Sequence, residues 1–364
     1  MNQDEVQTEY ELVLKPTSVS SQLVNHTGPS PLVTVIVPAY NYGRFIPETL
    51  RSVQAQSYQF WECIVVDDGS TDETGNTVRS FSKEDPRIKY IRQDNQGLAA
   101  ARNTGIRKAS GEYFQFLDAD DLLEPHKFER QVRFLEQHSH VDIVFGDARY
   151  FHSEHPEERL FSPEAANEPW VATFSAKGQD VLLSLVRNNI MVVSSPVLRR
   201  SVIDDVGLFE NSTKGIEDWH YWLRCAAEGK HFHYDASEGT QTLVRVHGNS
   251  MSTDARMMLR STLLLHQKVA EMINDPAVLQ VNTERMIERE GLLGVEEIAA
   301  GELLAGMRQL CKAAVMDRST RHRAKWIFCA VAAPFVSTQQ LRKLVSTPVL
   351  QLAGGASRRW ARRN

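Results

Sequence analysis

The sequence predicts an α/β fold: a mostly parallel central sheet flanked by helices, followed by a helical C-terminal extension. Three observations predict it. Short apolar, β-branched runs alternate with helical patterns between Leu32 and Leu117, which is the signature of βαβ units. Two of those runs end in carboxylates, at Asp67-Asp68 and at Asp118-Ala119-Asp120-Asp121. From about Thr253 onward the pattern is helical.

Residues 1–31 read as a flexible leader, polar and ending in Gly28-Pro29-Ser30-Pro31. Leu32 to Val37 is a buried-strand run stopped by Pro38. Phe45 to Gln56 reads as a helix with Ile46, Leu50 and Val53 on one face, and Trp61 to Val66 as a second strand. Ser70 or Thr71 can cap a helix through Val78 and Phe81. A third strand, Ile88 to Arg92, leads to a turn at Asn95-Gln96-Gly97, an Ala-rich helix from Leu98 to Ala109, and a fourth strand from Tyr113 to Leu117. Farther on come a strand at Val141 to Phe145, a helix at Gln179 to Asn188, and a strand-like piece at Val192 to Arg199. Pro196 places that piece at an edge or a bend. Asp204 to Phe209 reads as a turn, Glu217-Asp218 opens a helix, and Leu243 to His247 is a last short strand. Helices are expected over Arg256 to Ile273 and Val281 to Met316.

Ligands of parallel sheets bind beyond the strands' C-terminal ends. Pro38-Ala39-Tyr40, Asp67-Asp68 and Asp118-Ala119-Asp120 should therefore meet at one edge. Carboxylates crowded together repel unless something positive sits among them. A divalent cation holding a phosphate answers that need, and Mg²⁺ or Mn²⁺ suits oxygen ligands. The alternative is an Asp-rich turn capping the next helix.

With 364 residues, 42% hydrophobic and 24% charged, the chain has a globular composition. A net charge of -5 does not suit a nucleic-acid partner. Ten basic residues against the single acid Asp317 give residues 317–364 a charge of +9 and leave -14 for residues 1–316. Cys63, Cys225, Cys311 and Cys329 show no metal-ligand spacing, which fits a reducing cytosol. The N-terminus lacks a signal-peptide pattern, and no apolar run approaches the ~20 residues of a membrane span. The Asn95-Gln96-Gly97 turn is neither a dinucleotide fingerprint nor a Walker loop, which disfavours dehydrogenases and P-loop NTPases.

The ordered motifs carry a resemblance. Val33 to Asn41, Ile64 to Asp72, Asn95 to Asn103, Phe116 to Asp121, Asp205 to Phe209, Glu217-Asp218-Trp219 and Arg245-Val246-His247 together resemble family 2 glycosyltransferases of the GT-A fold. The resemblance covers residues 32–252 and leaves 253–364 as a helical extension with a basic tail. It implies inverting transfer of a sugar from a nucleoside diphosphate sugar, most naturally a UDP-sugar, to an acceptor hydroxyl. It also suggests hexosyl or N-acetylhexosaminyl transfer in cell-envelope polysaccharide synthesis. By that resemblance Asp218 is the catalytic base, and Asp120 and His247 are the metal ligands. Asp118 bonds the ribose or a metal-bound water, and Glu217 and Trp219 lie on the acceptor or sugar side. Pro38, Ala39, Tyr40, Asp67, Asp68, Gly97, Arg102, Asp118, Ala119 and Asp120 line the nucleotide-sugar site.

Each assignment has a structural counterpart. Asp67 and Asp68 suit a turn and cap, and Glu217 and Asp218 suit a helix's first turn. His247 suits a turn, and Arg102 suits a surface pair. A metal-dependent nucleotidyltransferase and a non-catalytic nucleotide-sugar-binding module are the alternative functions. A glycan or lipid-linked glycan is the expected acceptor, and self-association is a further partner considered. The expected location is the cytoplasm or the inner face of the plasma membrane. Apolar Trp326 to Val336, between basic flanks, suits a helix on an anionic bilayer, although a buried helix with solvated flanks fits somewhat better.

Overall fold

A computed structural model describes residues 31–162, 168–213, 215–248, 254–317, 319–337 and 339–341. The chain divides into residues 1–30 and Pro31–Asn364, and all described structure belongs to the second unit. The expected leader and the basic tail from Arg342 lie outside the described residues.

The β-branched run forms β1 (Val33–Ala39), buried at every position. Then follow α1 (Ile46–Gln54), β2 (Trp61–Asp67), α2 (Thr74–Glu84), β3 (Ile88–Arg92), α3 (Leu98–Lys108) and β4 (Tyr113–Phe116). The four strands pair in parallel, with Val37 opposite Val65, Val65 opposite Tyr90 and Ile36 opposite Phe116. Period-2 alternation divides β1 between two layers. Val35 and Val37 pack with Ile46, Leu50 and Val53, while Ile36 packs with Phe114 and Phe116 on the other face. Each such fully buried aliphatic side chain contributes ~1.5–3 kcal/mol relative to exposure.

The middle of the chain departs from expectation. After β5 (Leu122–Leu123) comes an unanticipated helix, α4 (Lys127–Gln137), burying Phe128, Val132 and Leu135. Next are β6 (Ile143–Gly146), β7 (Ala148–His152), β8 (His155–Leu160), β9 (Ser175–Lys177) and α5 (Gln179–Arg187). The strand expected at an edge is β10 (Val197–Arg199), and it lies inside the sheet, antiparallel to both β4 and β6. It starts just after Pro196, so the missing N–H removes no ladder bond. Asp204 to Val206 finish α6 (Arg200–Val206) rather than forming a turn. Then come α7 (Glu217–Ala227), an unanticipated β11 (His231–Asp235), and β12 (Thr242–Val246).

The main sheet has the order β3-β2-β1-β4-β10-β6-β11-β9, and a second, unanticipated sheet has the order β5-β12-β7-β8. The expected boundary near 252 falls among residues outside the described set. Beyond it lie α8 (Ala255–Met272), α9 (Pro276–Ala299), α10 (Leu303–Met316) and α11 (Thr320–Ala332). The single helix expected over Val281 to Met316 is thus two, parted at Gly301 with φ 90°. Among the described residues no helix is long and apolar enough to cross a membrane.

Helices α9 and α10 meet backbone to backbone. A Cβ added to Gly306 would lie 2.4 Å from the Gly294 carbonyl oxygen. Backbone cannot step aside as a flexible side chain can. Gly306→Ala should therefore destabilise the protein by about 1–3 kcal/mol, read as a lowered midpoint in chemical denaturation. An unchanged midpoint would show that these helices slide apart freely.

Candidate active site

Strands β1, β2 and β4 end at one edge, as parallel pairing requires. The Asp68 N–H donates to the Ala39 carbonyl at 2.8 Å, which stitches the first two ends together. Pro38 and Ala39 are buried in β1, and Tyr40 just beyond them is 46% exposed, leaving an aromatic ring open at the rim.

Asp67 is fully buried. Its carboxylate accepts from the Ser70 N–H at 2.8 Å, the Tyr90 hydroxyl at 2.6 Å and Arg92 at 3.0 Å. Burial alone would raise its pKa, but these donors hold it below the usual carboxylate range. Asp67 thereby ties down the loop that carries Asp68. Asp68 accepts from the Gln93 side chain at 2.7 Å, the Gln96 N–H at 2.9 Å and the Gly97 N–H at 2.8 Å. Gly97 has φ 91°, in the region favoured by glycine, and this lets the loop turn abruptly into α3.

Helix α3 then delivers Arg102, only 1% exposed, beneath the edge. Its Nη1 donates to Glu217 Oε1 at 2.6 Å and its Nη2 to Asp118 Oδ1 at 2.7 Å. The surface pair is thereby excluded: Arg102 is a buried crosspiece between Asp118 and Glu217, the latter 115 positions from it in sequence. Burial opposes its charge, yet Asp118 and Glu217 raise its pKa above the ordinary value.

The acidic turn after β4 is held from several sides. The Ala119 carbonyl accepts from the Thr49 hydroxyl at 3.0 Å. Asp121 Oδ2 accepts from the Ser194 hydroxyl at 2.7 Å, and the same Ser194 oxygen accepts the Asp118 N–H at 3.1 Å. Burial and then the neighbouring Asp120 and Asp118 push Asp121 well above the carboxylate range. Burial and Asp120 also raise Asp118, against the pull of Arg102.

The second sheet supplies the other wall. Strand β12 pairs with β5, so Arg245 and His247 arrive beside the turn. Arg245 donates to the Asp120 carbonyl at 3.0 Å and to Glu48 at 2.9 Å. His247 Nε2 lies 2.8 Å from Asp120 Oδ2, and its ring stacks on Phe45 at 4.9 Å.

Asp218 stands in the first turn of α7. It keeps part of its surface exposed, while burial of its surroundings, and next Glu217, push its pKa up to about 7. Asn189 donates to its Oδ2 at 3.1 Å. Glu217 points inward to Arg102. Trp219, expected on the sugar side, is 8% exposed and donates its indole N–H to the Leu185 carbonyl at 2.7 Å. Its ring packs between α5 and α8 rather than offering an open face, because α7 turns that side toward the core.

Ser194 and Asn189 escaped the sequence reading. The polar triplet Ser194-Ser195-Pro196 interrupting an apolar run was the available signal. Ser194 also holds the main chain, its carbonyl accepting from Gln115 and from Thr242, each at 2.8 Å. Beside it, buried Lys127 donates to the Ser195 carbonyl, and burial pushes its pKa down to about 7. Ser194→Ala leaves the Asp118 N–H and the Asp121 carboxyl short of partners, so a stability loss of about 1–3 kcal/mol is expected. Equilibrium denaturation measures it, and a loss below 0.5 kcal/mol, about the smallest net hydrogen-bond contribution, would count against the hub.

Among the described residues no three His, Cys, Asp or Glu side chains form a ready metal cage. A carboxylate and an imidazole at 2.8 Å, flanked by two carboxyls with raised pKa, nevertheless fit a divalent cation that takes its remaining ligands from a diphosphate.

Several known proteins are similar to this chain in sequence or in fold. The family described as Glycosyl transferase family 2 matches residues 34–206. An uncharacterized glycosyltransferase of Haemophilus influenzae is 32% identical over 201 residues, 55% of this chain and 74% of that protein. The putative teichuronic acid biosynthesis glycosyltransferase TuaG of Bacillus subtilis is 43% identical over 110 residues, 30% of this chain and 44% of that protein. The match to glycosyltransferase GlyA of Streptococcus pneumoniae is 40% identical over 129 residues, 35% of this chain but only 18% of that protein. Among solved structures, S. aureus TarS in complex with UDP-GlcNAc aligns with a TM-score of 0.57 at 17% identity, over 87% of this chain and 90% of that one. The mannosyltransferase PcManGT of Pyrobaculum calidifontis, in complex with GDP-Man and Mn²⁺, aligns at 0.52 and 21% identity, over 87% of this chain and 85% of that one. These structural likenesses establish the fold, an α/β GT-A architecture with a helical C-terminal part. The match to the Haemophilus influenzae protein, with the family match over residues 34–206, shows that the chain belongs to glycosyltransferase family 2.

Proposed function

We propose that the chain transfers a sugar from a nucleoside diphosphate sugar, most naturally a UDP-sugar, to an acceptor hydroxyl with inversion at the anomeric carbon. The observation that carries the proposal is Asp218. It is a partly exposed carboxyl with a pKa pushed to about 7, tied through Glu217 and Arg102 to the acidic turn. A base poised near neutrality, and open to an incoming hydroxyl, is what direct displacement needs.

In this reading Asp218 takes the acceptor's proton as its oxygen bonds to the anomeric carbon, and the bond from that carbon to the diphosphate breaks. Tyr40 offers its exposed ring to the nucleobase. Asp68, whose carboxylate has about four lone-pair sites and makes three hydrogen bonds, retains capacity for a base N–H. Asp118, oriented by Arg102 and the Ser194 hydroxyl, faces the ribose and diphosphate. Asp120 and His247 would hold Mg²⁺ or Mn²⁺, which neutralises charge developing on the leaving diphosphate. TarS with UDP-GlcNAc and PcManGT with GDP-Man and Mn²⁺ support a nucleotide-sugar donor and a divalent metal. The name of TuaG supports a role in cell-surface polysaccharide synthesis, and in this reading the acceptor is a glycan or lipid-linked glycan.

The test is donor turnover with purified protein, Mg²⁺ or Mn²⁺ and a panel of UDP-, GDP- and dTDP-sugars, with and without EDTA. Expected is metal-dependent release of nucleoside diphosphate from one donor, with no pyrophosphate. Pyrophosphate release would favour the nucleotidyltransferase. The absence of both turnover and donor binding by calorimetry would sink the proposal.

A further inference from the structure

The largest exposed apolar side chains are concentrated far from the carboxylates in sequence. Among the described residues eight large hydrophobics are exposed, and six of them lie on α10, α11 and the turn after α11. On α10 they are Leu304 and Val315; on α11 and its turn they are Ile327, Phe328, Val331 and Phe335. Phe328 is 58% exposed and Phe335 84%. The spacing Ile327-Phe328, Val331, Phe335 follows the helical period, so these residues mark one outer face. The opposite face is also apolar: Trp326, Cys329, Ala330 and Ala333 are buried against α9 and α10. A helix apolar on both sides is one whose outer side has a partner still to meet.

We propose that the outer face of α10 and α11 is a docking surface for an anionic lipid bilayer. Charge selects this occupant. Residues 317–364 carry +9, and the only acid among them is Asp317. On α10 the exposed side chains beside Leu304 and Val315 include Arg308, and Lys312, whose ammonium is paired with Glu290. Such a face is attracted to anionic headgroups, at a distance set by salt. A second copy is the poorer occupant, because it carries the same excess of positive charge in residues 317–364. Length decides the mode. Thirteen residues of α11 extend about 20 Å, short of the ~30 Å hydrocarbon core, so the helix lies along the interface. The buried-helix alternative holds for the inner face only.

The experiment is co-sedimentation of the full chain with vesicles of phosphatidylcholine alone or with about 30% phosphatidylglycerol, an anionic lipid. Expected is binding at least about tenfold tighter to the anionic vesicles, weakening as salt rises. Phe328→Glu with Phe335→Glu should abolish it. Leu304→Ser with Val331→Ser, which removes apolar area without adding charge, should weaken it about tenfold. Circular dichroism checks that each variant remains folded, and Phe328→Leu should bind as the parent does. No binding to anionic vesicles at low salt would overturn the proposal. So would full binding by both double variants. So would a dimer that the glutamate variant converts to monomer without any vesicle binding. Donor turnover in solution reads the transfer chemistry separately, so failure of one leaves the other standing.

Discussion

Asp218→Asn is expected to lower the transfer rate by about 10²–10⁴-fold, the usual contribution of a general base, while donor affinity stays nearly unchanged. The amide keeps the shape of the side chain and can still face Asn189, but it cannot take a proton. The pH profile gives a second, independent reading. The Asp218 pKa is raised to about 7, chiefly by burial, so the group is protonated in acid and ionised above neutrality. A base works only when ionised. Activity should therefore fall as pH drops through about 7 and level off above it. The measurement is kcat/KM against pH with donor affinity by calorimetry alongside. Near-normal transfer by Asp218→Asn would remove Asp218 from the role. A parent profile flat from pH 5 to 8, the window in which a base with this pKa changes charge, would show that no such base limits the rate.

Arg102→Met should cost more stability than any other single change at the site. The guanidinium is buried and faces Asp118 on one side and Glu217 on the other. Removing it leaves two carboxylates without their shared counter-charge, and breaking a buried pair in this way typically costs about 3–5 kcal/mol. A drop in melting temperature on the order of 5–10 °C is the corresponding shift. Glu217→Gln on the Arg102→Met background should recover part of that loss, because the like charge is gone, yet it should not restore transfer. Calorimetric melting of the two single variants and the double variant measures the coupling. Additive losses would show that Arg102 and Glu217 act separately.

Much of the carboxylate-bearing edge was legible from residue order. Val33 to Val37 and Ile64 to Val66 are strand-forming whatever surrounds them, and both runs end in residues that suit a turn. Parallel pairing then obliges Tyr40, Asp68 and Asp118 to share an edge. Less was legible where the fold turns antiparallel. Strand β10 is three residues long, too short for its alternation to register, and its place between β4 and β6 follows from pairing alone. Helix α4 did carry an i, i+4, i+7 pattern at Phe128, Val132 and Leu135, but polar Glu129, Arg130 and Arg133 diluted it. Trp219 shows the limit for single residues. An aromatic beside a carboxylate reads equally well as a sugar platform or as core, and only the rotation of α7 decides between them.

The sequence by itself determined which carboxylates and aromatics stand at strand ends and which strands bring them to an edge, because hydrophobic period, turn residues and carboxylates are local properties of the chain. Tertiary structure alone decided what those residues do to one another. Arg102 reaches Glu217 across 115 positions, Ser194 reaches Asp121 across 73, and His247 reaches Asp120 across 127. Each contact depends on the register of strands and the crossing of helices far apart in sequence. The raised pKa of Asp218 comes from the same source, since burial and a neighbouring carboxylate exist only once the chain has folded around them.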